Sequence, residues 1–141
     1  MAAQEFKLDF AGYWREPNIS GVPAKSGVYC VYECSHNVSN KTVSIHKLIY
    51  IGEADDVNNR VTKHEKWKLW KQEVRNGNEL CFSFAYAEAL YRTRIEAALI
   101  FKHKSPVNDE YKWSFPFDDT TLTLTGKTAL LSTYFTVQKT V

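Results

Sequence analysis

Two tyrosines each sit beside a glycine in runs rich in strand-forming residues, Gly27-Val28-Tyr29 and Tyr50-Ile51-Gly52. A phenol on a rigid strand can orient or deprotonate a water, but with an ordinary pKa of about 10 it serves as a base only beside a cation. Arg60 and His64 follow, one helical turn apart and therefore on one helix face. A guanidinium offers a planar fork that grips a phosphate at two points, which an ammonium does not. Glu96 supplies a carboxylate, and Asn108 an amide just beyond Pro106. Taken singly, each has a plainer reading. Strand tyrosines pack in sheets, Arg60 is a surface charge, Glu96 can pair with Arg92 one turn earlier, and Asn108 is a loop residue.

Charge is distributed unevenly along the chain. The net charge is only +2, yet residues 60–75 hold six basic side chains (Arg60, Lys63, Lys66, Lys68, Lys71, Arg75) against Glu65 and Glu73. Residues 92–104 hold Arg92, Arg94, Lys102 and Lys104 against Glu96. A basic stripe on a near-neutral chain is a footprint for phosphate backbones, although charge alone fits a solvated helix face equally well.

These side chains need elements to hold them. Residues 27–32 and 42–51 read as strands, and the polar stretch 35–41 between them predicts an antiparallel hairpin. Asp55 or Asp56 can cap a helix starting near Val57. Val57 and Val61 mark one face, while Trp67, Trp70 and Val74 mark another, so a break is expected near residues 63–66. The two tryptophans read as core or hinge packing. Residues 80–87 alternate as a third strand. Residues 89–103 form a mostly buried helix, with Leu90, Tyr91, Arg94, Ile95, Ala98, Leu99 and Phe101 across a wide arc, stopped at Ser105-Pro106. Residues 9–14 look like an extra strand, and the alternating tail from Thr120, turning at Gly126-Lys127, like a hairpin or edge strand. Parity places Tyr29 with Val31 on one strand face, and Leu48, Tyr50 and Gly52 together on a face of the next. The expected fold is an α/β (α+β) sandwich: a small central three-stranded antiparallel sheet flanked by helices, with extra strands from both termini.

Composition sets the bounds. The 141 residues are 44% hydrophobic and 24% charged, which suits one globular domain over 1–141 and excludes a largely disordered chain. No apolar run approaches the ~20 residues of a membrane span, and the first residues lack the basic-then-apolar pattern of a secretory signal. Cys30, Cys34 and Cys81 make an odd set that argues against a disulfide framework. Cys30, Cys34 and His36 are zinc-ligand types, but no second pair stands at a suitable spacing. A reducing, cytoplasmic setting is expected.

The ordered set Gly27-Val28-Tyr29, Tyr50-Ile51-Gly52, Arg60, Glu96 and Asn108 resembles the GIY-YIG nuclease family, with Val28 where the family name has isoleucine. The likeness covers a motif core of residues 27–109, leaving extensions at 1–26 and 110–141. It implies a metal-dependent endonuclease that hydrolyses phosphodiester bonds in DNA. Glu96 would hold Mg²⁺ (or Mn²⁺), and Tyr29, Tyr50, Arg60, His64 and Asn108 would form the catalytic set. Lys63, Lys68 and Lys71, on the basic stripe, would contact nucleic acid. One such site makes one nick, so a double-strand break would call for a homodimer or a repeated event. The alternative is a non-catalytic nucleic-acid-binding module in DNA repair or anti-phage machinery. The two tyrosines stand 21 positions apart because of the 35–44 stretch, which is either a DNA-contacting loop or an extended hairpin.

Overall fold

The computed structural model describes residues 2–140. The chain forms an α+β fold: a six-stranded, mixed, strongly curled half-barrel sheet and four helices, one of them long. The strands are β1 (Gln4–Arg15), β2 (Gly27–Asn37), β3 (Thr42–Ala54), β4 (Glu79–Tyr86), β5 (Thr120–Gly126) and β6 (Tyr134–Val137). The helices are a 3₁₀ segment (Glu16–Gly21), α1 (Val57–Thr62), α2 (Trp67–Gln72) and α3 (Ala89–His103). Among the described residues no helix is long and apolar enough to cross a membrane.

The sheet order is β3-β2-β4-β1-β5-β6. The antiparallel triplet expected from the sequence, β3-β2-β4, is present, but it is one half of the sheet and not its centre. β1 is longer than the six residues expected. It pairs antiparallel with β4 and parallel with β5, joining residues 4–10 to 120–126. β5 and β6 form the tail hairpin. The 35–44 stretch is mostly strand: pairing runs out to Asn37 opposite Thr42, so the hairpin is extended.

Alternation along the strands makes two cores. Val28, Cys30, Tyr32 and Cys34 pack on one face with Ile95, Ala98 and Leu99 of α3. Tyr29 and Val31 pack on the other with Val57 and Val61 of α1 and Trp70 of α2. The helix break appears at residues 63–66, as the two apolar faces require, and Asp56 caps α1 by accepting from the Asn59 N–H at 3.0 Å. Leu90 departs from its expected burial: at the first turn of α3 it is 76% exposed.

The β2–β3 register shifts twice, at His46 and at Ile49, and the second shift breaks the parity expected of Leu48, Tyr50 and Gly52. Val31 pairs with Tyr50 but Tyr32 pairs with Leu48, so Ile49 is an extra residue, a bulge. Tyr50 therefore shares the Tyr29 face, whereas Leu48 packs into the α3 core.

Candidate functional site

The glycines beside the two tyrosines have separate steric reasons. Gly52 is the register partner of Tyr29, and a Cβ there would stand 2.4 Å from the Tyr29 Cζ. The Tyr29 ring thus lies flat over backbone that only glycine leaves open. At Gly27 a Cβ would fall 2.6 Å from Phe84 Cε1, so strands β2 and β4 close together only with glycine there.

Tyr29 and Tyr50 have ring centroids 6.3 Å apart. Tyr50 meets His64 edge-on at 5.3 Å, and His64 lies 4.5 Å from Trp70. α1 ends at Thr62, so His64 is not on the helix face expected for it beside Arg60 but in the break beyond, where the chain has left helical geometry at Lys63. The Arg60 Nη2 donates to Glu65 Oε2 at 2.7 Å, and that carboxylate is 62% exposed. Trp70 is fully buried, in keeping with a packing role.

Asn108 closes the open edge of the sheet. β3 is an edge strand, so Ile51 has no strand neighbour on its outer side. The Ile51 N–H donates to Asn108 Oδ1 at 2.9 Å, and Asn108 Nδ2 donates back to the Ile51 carbonyl at 2.8 Å. The Val107 N–H adds a bond to the Ile49 carbonyl at 3.1 Å. One buried side-chain amide thereby does the work of a paired strand, holding the bulged segment that carries Tyr50.

Beside this edge lies a cleft of about 130 Å³ lined by Tyr50, Lys66, Glu96, Ile100, Asn108, Asp109 and Glu110. Burial, then the charges of Glu53 and Glu110, pushes the Glu96 carboxyl up to about 8. The Arg92–Glu96 ion pair of the plainer reading does not form: Arg92 donates to Glu53 at 2.6 Å and to Ser26, and acts on Glu96 only through its charge. Glu96 is thus a partly buried carboxyl that is mostly protonated near neutral pH, with the Glu53 backbone and the Arg92 charge partly offsetting its burial, and a cation would favour its ionised form. Among the described residues no group of three or more His, Cys, Asp and Glu side chains is arranged to hold a metal. The donor set is one carboxylate with water, a set that Mg²⁺ accepts because it keeps much of its hydration.

Burial also sets the protonation of the rest. It raises Tyr29 well above its ordinary value, the nearby Tyr50 adding to this and Arg60 opposing it. It raises Tyr50 to about 12, with Glu96 adding and Arg60 opposing. Both are phenols at neutral pH. Burial, with the Arg60 charge second, lowers His64 to about 4. The Lys66 N–H donates to His64 Nδ1 at 3.0 Å and Glu65 Oε2 lies 3.1 Å from the same nitrogen, which leaves Nε2 as the unengaged ring atom. That atom is buried with no partner among the protein atoms.

The six motif residues Tyr29, Tyr50, Arg60, His64, Glu96 and Asn108 thus converge from β2, β3, α1 and its break, α3 and the loop after it. The three lysines do not converge with them in the same way. Lys63 and Lys68 are exposed, while Lys71 donates to Glu16 at 2.6 Å. The basic stripe is largely neutralised: Arg60 meets Glu65, Lys66 meets Asp109, Lys71 meets Glu16 and Arg75 meets Glu33. Lys66, Asp109 and Glu110 line the cleft and were not singled out by sequence as site residues. Lys66 lay within the basic stretch, and Asp109 and Glu110 adjoin Asn108. The three cysteines are free and buried.

Comparisons with protein-family models, with curated proteins and with solved structures find no match to this chain.

Proposed function

We propose that the chain is a metal-dependent endonuclease that hydrolyses phosphodiester bonds in DNA, as its resemblance to the GIY-YIG nuclease family suggests. The observation that carries this reading is that Tyr50, Glu96 and Asn108 line one cleft while Tyr29 and His64 pack against the Tyr50 ring and Arg60 lies near enough to act on both phenols.

Each residue has a role that its state allows. Arg60 binds the phosphate with its fork after releasing Glu65, an exposed partner that holds it weakly. Tyr29 and Tyr50, protonated at rest, orient the attacking water. Tyr29 could take a proton from that water only as the phenolate, after its own proton has passed to solvent, and the Arg60 charge favours that ionisation while burial opposes it. The His64 side chain has no exposed surface, so its part is to hold the Tyr50 ring through their edge-on contact at 5.3 Å. Asn108 positions β3 and so Tyr50. A Mg²⁺ or Mn²⁺ held by Glu96 would offset the charge that develops on phosphorus. In this reading the partner is DNA, the setting reducing and cytoplasmic, and a homodimer is needed only for concerted double-strand cleavage.

The test is incubation with supercoiled plasmid in Mg²⁺ or in chelator. Nicked or linear product only with the metal is expected. Binding without cutting under every metal condition would favour the non-catalytic binding module.

A further inference from the structure

The cleft has one cation in its wall, Lys66; its other charged lining residues, Glu96, Asp109 and Glu110, are acidic. A phosphodiester backbone entering there meets the carboxylates of Asp109 and Glu110, and Lys66 is the cation in the wall that can receive it. The Lys66 Nζ donates to Asp109 Oδ2 at 2.9 Å. The lysine side chain is 26% exposed and the aspartate 80%. The ammonium is part of the wall, whereas the carboxylate stands in solvent, where an ion pair is weak and readily exchanged. The two residues come from different elements, the break between α1 and α2 and the loop after α3, so their contact spans the cleft mouth. Arg60 is held in the same manner by the exposed Glu65.

We propose that Lys66 is a substrate-binding residue for the DNA backbone and that Asp109 is the anion it exchanges for a phosphate. The proposal rests on the nuclease reading of the cleft. Lys66 stays paired throughout: Asp109 holds it in the empty cleft, and a backbone phosphate takes over that position as Asp109 swings into solvent. The exchange favours ligands that bring their own negative charge.

The test is a double-mutant cycle read by anisotropy of a short fluorescein-labelled DNA duplex in chelator, so that cleavage does not enter. Lys66→Gln should weaken binding severalfold and lower the slope of log K against log salt by about 0.9, the value of one phosphate contact. Asp109→Asn should tighten binding severalfold in the wild-type background and have no such effect beside Lys66→Gln. Equal tightening in both backgrounds would make Asp109 a mere repulsive charge and overturn the exchange. An unchanged salt slope in Lys66→Gln, or no duplex binding by the wild-type chain, would overturn it as well. The plasmid assay separates this from the nuclease reading. Coupling without nicking leaves Lys66 as a phosphate contact and removes the chemistry. Nicking without coupling leaves the chemistry and removes Lys66. Where both hold, Lys66→Gln should raise KM with little change in kcat, the mark of binding shared by ground and transition states.

Discussion

Replacing Glu96 by glutamine keeps the shape of the side chain and removes its ionisation. In the folded chain the Glu96 carboxyl is raised from its ordinary 4.5 to about 8 by burial and by Glu53 and Glu110. Between those values the folded state holds a proton that the unfolded state has released. Stability therefore falls as pH rises through that window and levels off above it. At about 1.4 kcal/mol per pKa unit, the ceiling on this loss is ~5 kcal/mol. Glu96 is partly open to the cleft, and screening by solvent there reduces the working figure to ~2 kcal/mol. For a domain of this length that corresponds to roughly 8 °C in Tm. Metal-free Glu96→Gln should melt with the wild type in mild acid and above it by about that margin near pH 9. Mg²⁺ should then raise the wild-type Tm at high pH and leave Glu96→Gln unmoved, because only the carboxylate gains a ligand. The assay is thermal unfolding of both proteins across pH, with Mg²⁺ and with chelator. A margin that does not change with pH, or an equal response of the two proteins to Mg²⁺, would refute the reasoning. Plasmid nicking by Glu96→Gln should be lost.

Tyr29→Phe removes a hydroxyl while the ring stays over Gly52, so Tm should hardly move and nicking should fall by ~10²–10⁴-fold; nicking at the wild-type rate would assign Tyr29 to packing alone. Asn108→Ala strips both side-chain bonds from the Ile51 backbone and should cost about 2–4 kcal/mol in urea unfolding. Hydrogen exchange should show the Ile51 amide losing its protection, and a retained protection factor would count against the edge-closing role. Lys63→Ala and Lys68→Ala should each lower the salt slope of duplex binding by about 0.9, whereas Lys71→Ala should lower it less because Glu16 competes for that ammonium. A slope unchanged by all three would remove this surface from the docking interface.

Local interactions were legible in the linear chain. The helix break at residues 63–66 follows from two apolar faces that one straight helix cannot turn to the same core, and Asp56 caps α1 through a bond three residues long. The span of α3, stopped before Pro106, is likewise local. So were the two glycine–tyrosine motifs and the order of the six motif residues, because each is a matter of residue type and short spacing. What lay beyond the sequence was set by groups distant along the chain. The bulge at Ile49 depends on which cross-strand hydrogen bonds form, and counting parity along one strand does not reveal an extra residue. The basic stripe lost most of its free charge to Glu16, Glu33 and Asp109, which a sum over residues 60–75 never meets. Arg92 turned from Glu96 to Glu53 for the same reason. The parallel pairing of β1 with β5 joins the two ends of the chain and makes the sheet six strands wide. Residue types and spacing therefore named the chemical groups. Their protonation and their partners were decided only by the tertiary structure, because desolvation and Coulomb interaction act through space and not along the chain.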